Sequence, residues 1–167
     1  MDAMNGRSFW LRLPYRLSEG LHLIGAFLII PILTLLVGAD VALRYLFNAP
    51  LAGANEIAGV MLLLILLFSL PFSTGADRHI KVDLLYRSLG SHARRIANLI
   101  AALTGVFVSL SLAWHSLRTV SSEMRYNEST LLLQIPYWPL SLMMGLIALL
   151  ITVLFMIQMW DALRRGK

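Results

Sequence analysis

The sequence predicts an all-α membrane protein of four transmembrane helices, with both termini on the cytoplasmic side. Three observations predict it. Four stretches hold no Asp, Glu, Lys or Arg: Gly20–Ala39, Ile57–Ala76, Ile96–Leu117 and Ser129–Trp160. Hydrophobic residues make up 58% of the chain and charged residues 14%, against roughly 45–50% and about 25% in soluble domains. Basic residues gather on alternate connections between the apolar stretches.

The lengths fit a bilayer. A helix rises about 1.5 Å per residue, so about 20 apolar residues cross roughly 30 Å of hydrocarbon. The first three stretches have that length. The fourth is too long, and Pro136 and Pro139 trim it, because proline suits a first helical turn and restricts the residue before it. The spans are expected at about 20–43, 57–76, 96–117 and 139–160, in a single membrane domain covering 1–167.

Orientation follows from the basic residues. The N-terminal segment carries Arg7, Arg12 and Arg16. The second connection carries Arg78, Lys81, Arg87, Arg94 and Arg95, and the C-terminus carries Arg164, Arg165 and Lys167. The first and third connections hold Arg44, Arg118 and Arg125. Basic residues are retained in the cytoplasm, so the eleven-to-three split places both termini inside. Trp10, Tyr15, Tyr137 and Trp160 sit near predicted span ends, where amphipathic rings favour the headgroup level. Trp114 and Trp138 lie near outer ends and could equally pack against a partner.

Val37-Gly38-Ala39 before Asp40 resembles a signal-cleavage site. The apolar run is longer than a typical signal core and follows a long basic segment, so the first stretch is expected to persist as a span. In the second connection, Val82, Leu85, Tyr86 and Leu89 share one helical face. Asp77 with Lys81 and Asp83 with Arg87 are favourable i, i+4 pairs, and Gly90 supplies a stop. A short interfacial helix over about 80–89, on the cytoplasmic membrane surface, is expected.

Composition also narrows function. The net charge of +5 sits between apolar runs, which points to a lipid bilayer and not to nucleic acid. With no cysteine, disulfides and thiolate metal sites are impossible. His22 and His115 fall near opposite membrane faces and cannot share a haem iron. No cofactor is expected. No nucleotide loop, nucleophile elbow or paired catalytic carboxylates are present, so no enzymatic activity is expected. Moving a charged solute across a membrane generally requires ionisable groups inside it, and none lies at mid-span.

The polar residues read as architecture. Asp40 and Arg44 are four apart and can pair. Glu56 opens the second helix, where the dipole favours a negative charge. Ala97, Ala101, Gly105, Ser109 and Ala113 recur every four residues, a small-residue ridge that lets helix backbones approach closely. Pro31 and Pro71 each remove a backbone hydrogen bond and are expected to kink their helices.

Three elements resemble one family. Arg44-Tyr45-Leu46-Phe47-Asn48, then Pro50 and Asn55-Glu56, resemble the loop after the first helix in the small membrane subunit of tripartite ATP-independent periplasmic (TRAP) transporters. His79-Ile80-Lys81-Val82-Asp83 resembles its H-I-x-V-D element. Ile135-Pro136-Tyr137-Trp138 resembles its I-P-x-W element before the last helix. The resemblance implies a bacterial inner-membrane subunit working with a large multi-span membrane subunit and a periplasmic substrate-binding protein. It implies ion-gradient-driven uptake, sodium being the expected ion, of an organic acid whose binding sites lie in the other two components. Arg44 and Glu56 on the outer side, His79 and Asp83 on the inner side, and Trp138 become candidate partner contacts. The competing expectation is an anchor or adaptor subunit of a redox or other membrane complex with no transport role.

Overall fold

A computed structural model describes residues 9–75 and 91–164. The expected interfacial helix over 80–89, with His79 and Asp83, lies outside the described residues. Among the described residues there are five α-helices: α1 (Phe9–Ile24), α2 (Ile30–Phe47), α3 (Ala54–Gly75), α4 (Ser91–Tyr126) and α5 (Trp138–Arg164). Among the described residues there is no strand, only one antiparallel bridge between Ser129 and Pro136. Four segments of the described residues are long and apolar enough to cross a membrane: Leu13–Phe47, Ala54–Gly75, Ile96–Tyr126 and Trp138–Trp160.

The first span is one rod built from two α-helices. A π-helical turn, Gly25–Ile29, joins α1 to α2, and the Ile30 N–H donates to the Gly25 carbonyl five residues back. Pro31 explains its position. Its ring has no N–H and crowds the carbonyl four residues earlier, and a wider turn just before it relieves both. Pro71 sits fully buried inside α3, which continues to Gly75. Past it, the Gln158 side chain of α5 donates to the Thr74 carbonyl at 2.6 Å. This satisfies one carbonyl that the last turn of a helix leaves open.

The helices form a row. α4 packs chiefly on α5, α5 on α3, and α3 on the α1–α2 rod. The central cluster joins Ile29, Leu67, Phe68, Ile147 and Ile151. On α2 only Asp40 is buried, whereas Leu35, Tyr45, Leu46 and Phe47 are exposed. In water such faces would be untenable. In a bilayer they are ordinary lipid-facing or partner-facing surface.

Close backbone approach joins α4 to α5. Gly105 is the tightest point: a Cβ there would lie 2.5 Å from Cε1 of Phe155. Ser109 donates to the Gly105 carbonyl (2.7 Å), and the Thr152 hydroxyl proton is shared between the Ala148 carbonyl (2.8 Å) and Ser109 Oγ (2.9 Å). Without water, hydroxyls that bond to the backbone and to each other hold apolar helices in register. Thr152→Val removes the cross-helix bond while keeping shape. It is expected to cost about 0.6 kcal/mol, and no more than about 1.7, measured by thermal unfolding in detergent.

Along α4 the buried positions are Ala102, Ser109, Ala113, Ser116 and Glu123. Ala97 is half-buried and Ala101 is exposed. The reason is geometric. At 100° per residue, steps of four advance about 40° each, so Ala97 and Ala113 stand about 160° apart around the axis. Steps of seven drift only about 20°. Ala102, Ser109, Ser116 and Glu123 are seven apart and form one seam.

Candidate functional site

Several polar side chains converge where the loops after α2 and α4 meet, at the end of the bundle opposite the start of α1 and the end of α5. The first loop begins with a helix stop. Asn48 adopts a left-handed conformation (φ 50°), and the N–H groups of Asn48 and Ala49 both reach the Leu43 carbonyl. Asparagine tolerates that conformation, and Pro50 two residues later cannot continue a helix. Asp40 then ties the loop back to α2. Its Oδ1 accepts the Leu51 N–H at 2.9 Å and its Oδ2 accepts the Arg44 guanidinium at 2.6 Å. Arg44 is thus a second support for the loop anchor, and its side chain remains half exposed.

The second loop folds on itself. The Thr130 N–H donates to the Ile135 carbonyl (3.0 Å), and the Ile135 N–H donates to Thr130 Oγ1 (3.0 Å). The Tyr137 N–H donates to the Glu128 carbonyl (3.1 Å). Asn127 and Gln134 both take positive φ to close the turns. Trp138 opens α5, half-buried.

Glu56 clamps the two loops together. It stands in the first turn of α3, and its two carboxylate oxygens accept the N–H groups of Leu132 (2.8 Å) and Leu133 (2.9 Å). A carboxylate holding two backbone donors makes charge-assisted bonds, stronger than neutral ones. Gly53 completes the contact. It has φ +81°, and a Cβ there would lie 2.7 Å from Leu133 Cγ. Gly53→Ala is expected to destabilise the fold by about 1–2 kcal/mol from the left-handed backbone alone, with the Leu133 overlap adding to it. Thermal unfolding of the purified variant measures the loss.

Beneath the clamp lies a cavity of about 390 Å³ between α3, α4, α5 and the second loop. Asn55, Glu56 and Gly59 line it from α3, Glu123 from α4, Thr130 from the loop and Ser141 from α5. Val60, Leu63, Leu140 and Met144 make its apolar walls. Glu123 is only 7% exposed. Its Oε1 accepts the Ser141 hydroxyl at 2.8 Å, and its Oε2 has no hydrogen-bond partner among the described residues. Sequence reading finds Arg44 and Glu56 but passes over Glu123, which follows the third apolar stretch. The signal that finds it is the seven-residue repeat from Ala102. Among the described residues no three His, Asp or Glu side chains converge to hold a metal ion.

Four long apolar helices, with polar contacts that pack helices and anchor loops, define a class. This is a polytopic α-helical membrane protein whose charged groups organise one end of the bundle. A family model for the DctQ component of tripartite ATP-independent periplasmic transporters matches residues 33–165. The chain belongs to that family, as the small membrane subunit of a TRAP transporter. The family is a transporter component and not an enzyme family, and it works in a tripartite complex with a large membrane subunit and a periplasmic binding protein. No curated protein and no solved structure matches the chain at a significant level.

Proposed function

We propose that the chain braces the static part of the large membrane subunit during ion-gradient-driven uptake of an organic acid. The acid is delivered by the periplasmic binding protein, and sodium is the expected coupling ion. The chain sits in the inner membrane with both termini cytoplasmic, as the distribution of Lys and Arg supports. One observation carries the reading: the central part of every span is free of Asp, Glu, Lys and Arg. A carrier of anions and cations needs groups that bind and release charge within the membrane. This subunit instead offers close helix contacts and a wide apolar surface, the properties of a scaffold. Its exposed α2 face and the loop end are the surfaces on which the large subunit and the binding protein would act.

The test is reconstitution. The large subunit and binding protein, sealed into vesicles without this chain, are expected to lose sodium-driven uptake, and adding the chain restores it. Undiminished uptake in its absence refutes the bracing role. Accumulation by this chain alone refutes it more severely.

A further inference from the structure

We propose that the cavity under the Glu56 clamp receives one cationic side chain, lysine or arginine, from the large membrane subunit, with Glu123 as its counter-charge. This rests on the reading of the chain as that subunit's partner. Three independent observations point to it.

The first is Glu123. It is more than nine-tenths buried, and its Oε2 has no partner among the described residues. A buried carboxylate oxygen left without a donor is costly. Glu123 is separated from Ser91 by most of the length of α4, roughly 48 Å at the helical rise. A donor for Oε2 therefore has to arrive at the loop end of the bundle, where the cavity lies.

The second is charge. The cavity lining contains two carboxylates, Glu56 and Glu123, and no Lys, Arg or His. Arg44 is paired with Asp40. The remaining polar lining, from Asn55, Thr130, Tyr137 and Ser141, offers further acceptors suited to a group with several N–H donors.

The third is room. Gly59 lines the cavity, and a Cβ at that position meets nothing within 4 Å. A glycine inside a helix is destabilising relative to alanine, and no contact among the described residues requires one here. Its missing side chain widens the cavity. Val60, Leu63, Leu140 and Met144 then suit the methylene stem of a long cationic side chain, while the charge meets Glu123.

The experiment is a titration of this chain, purified in detergent, against the purified large subunit. Glu123→Gln keeps the shape and the Ser141 contact and removes the charge. Its apparent dissociation constant is expected to rise about 30-fold or more, as for truncation of one partner in a buried charge pair. Gly59→Met fills the cavity without touching Glu123 and is expected to weaken binding comparably, while its unfolding temperature matches or exceeds that of the wild type. Glu128→Gln, an exposed acid outside the cavity, is expected to leave binding unchanged. If Glu123→Gln and Gly59→Met both bind like the wild type, the inference is overturned while the bracing role survives. If the wild-type chain itself fails to bind the large subunit, the bracing role falls first and this inference with it. If the wild-type chain carries an aminophospholipid that both variants lack and binding to the large subunit is unaffected, the occupant is a lipid headgroup and the inference is overturned.

Discussion

Gly105→Leu is expected to drive α4 away from α5 and to destabilise the subunit by about 3 kcal/mol or more. The Cβ alone would stand 2.5 Å from the Phe155 ring, and two further ring atoms lie at 2.6 Å. Leucine adds three more carbons beyond that clash. Overpacking a tight contact costs typically about 1–3 kcal/mol, occasionally more. Here the shift also strips the Thr152–Ser109 bond across the same interface. No other helix contributes comparably to holding α4, so the loss cannot be shared. Thermal unfolding in detergent measures the effect. The double variant Gly105→Leu with Phe155→Ala is expected to recover much of it, because the ring is the obstacle. Failure of that rescue would show that the α4–α5 contact is not the determinant. Seated this way, α4 also positions Glu123 in the cavity, so Gly105→Leu is expected to impair assembly as well as stability.

Glu56→Ala is expected to uncouple the two loops. Both carboxylate oxygens are occupied by backbone N–H groups from a loop more than seventy residues away, and alanine leaves both donors open. The readout is hydrogen exchange at the Leu132 and Leu133 amides, which is expected to quicken by about tenfold or more as their local protection disappears. Glu56→Gln is expected to fall between wild type and alanine, since an amide keeps one acceptor and presents an N–H₂ to the second donor. The helix ends of α3 and α5 stay folded in both, so far-ultraviolet circular dichroism is expected to remain unchanged. Equal exchange in wild type and Glu56→Ala would refute the clamp. Because Glu56 also lines the cavity, its loss is expected to weaken capture of the large subunit, less than Glu123→Gln does.

Several features of the fold are legible in the amino-acid sequence. The four spans follow from the need to satisfy every backbone group inside hydrocarbon, which makes long uncharged runs helical almost regardless of detail. The stop after α2 is written locally in Asn48 and Pro50. The Asp40–Arg44 pair follows from i, i+4 spacing. Helix ends are less legible. α2 runs on to Phe47 and α4 to Tyr126, beyond the uncharged runs, because charge marks the edge of the hydrocarbon and not the end of helical hydrogen bonding. The local effect of Pro31 is a π-turn just before it, which the sequence does not announce.

The candidate site divides the same way. Glu56 is visible as an acid at a helix start, but its partners are not, since Leu132 and Leu133 present backbone N–H groups that no side-chain pattern encodes. Glu123 is hidden for a related reason. Its burial depends on α4 turning the Ala102–Ser109–Ser116 seam toward α5, and on Ser141 arriving from another helix.

What the sequence by itself determined was the solvent: apolar runs of bilayer length set the number of helices, and the asymmetry of basic residues points to their direction. Those properties are local sums over consecutive residues, and they need no knowledge of neighbours. What only the tertiary structure decided was which polar atoms meet. It brought Glu56 onto the second loop, Gly105 under Phe155 and Glu123 beside an open cavity, because side-chain partnership is a matter of distance between segments far apart in the chain.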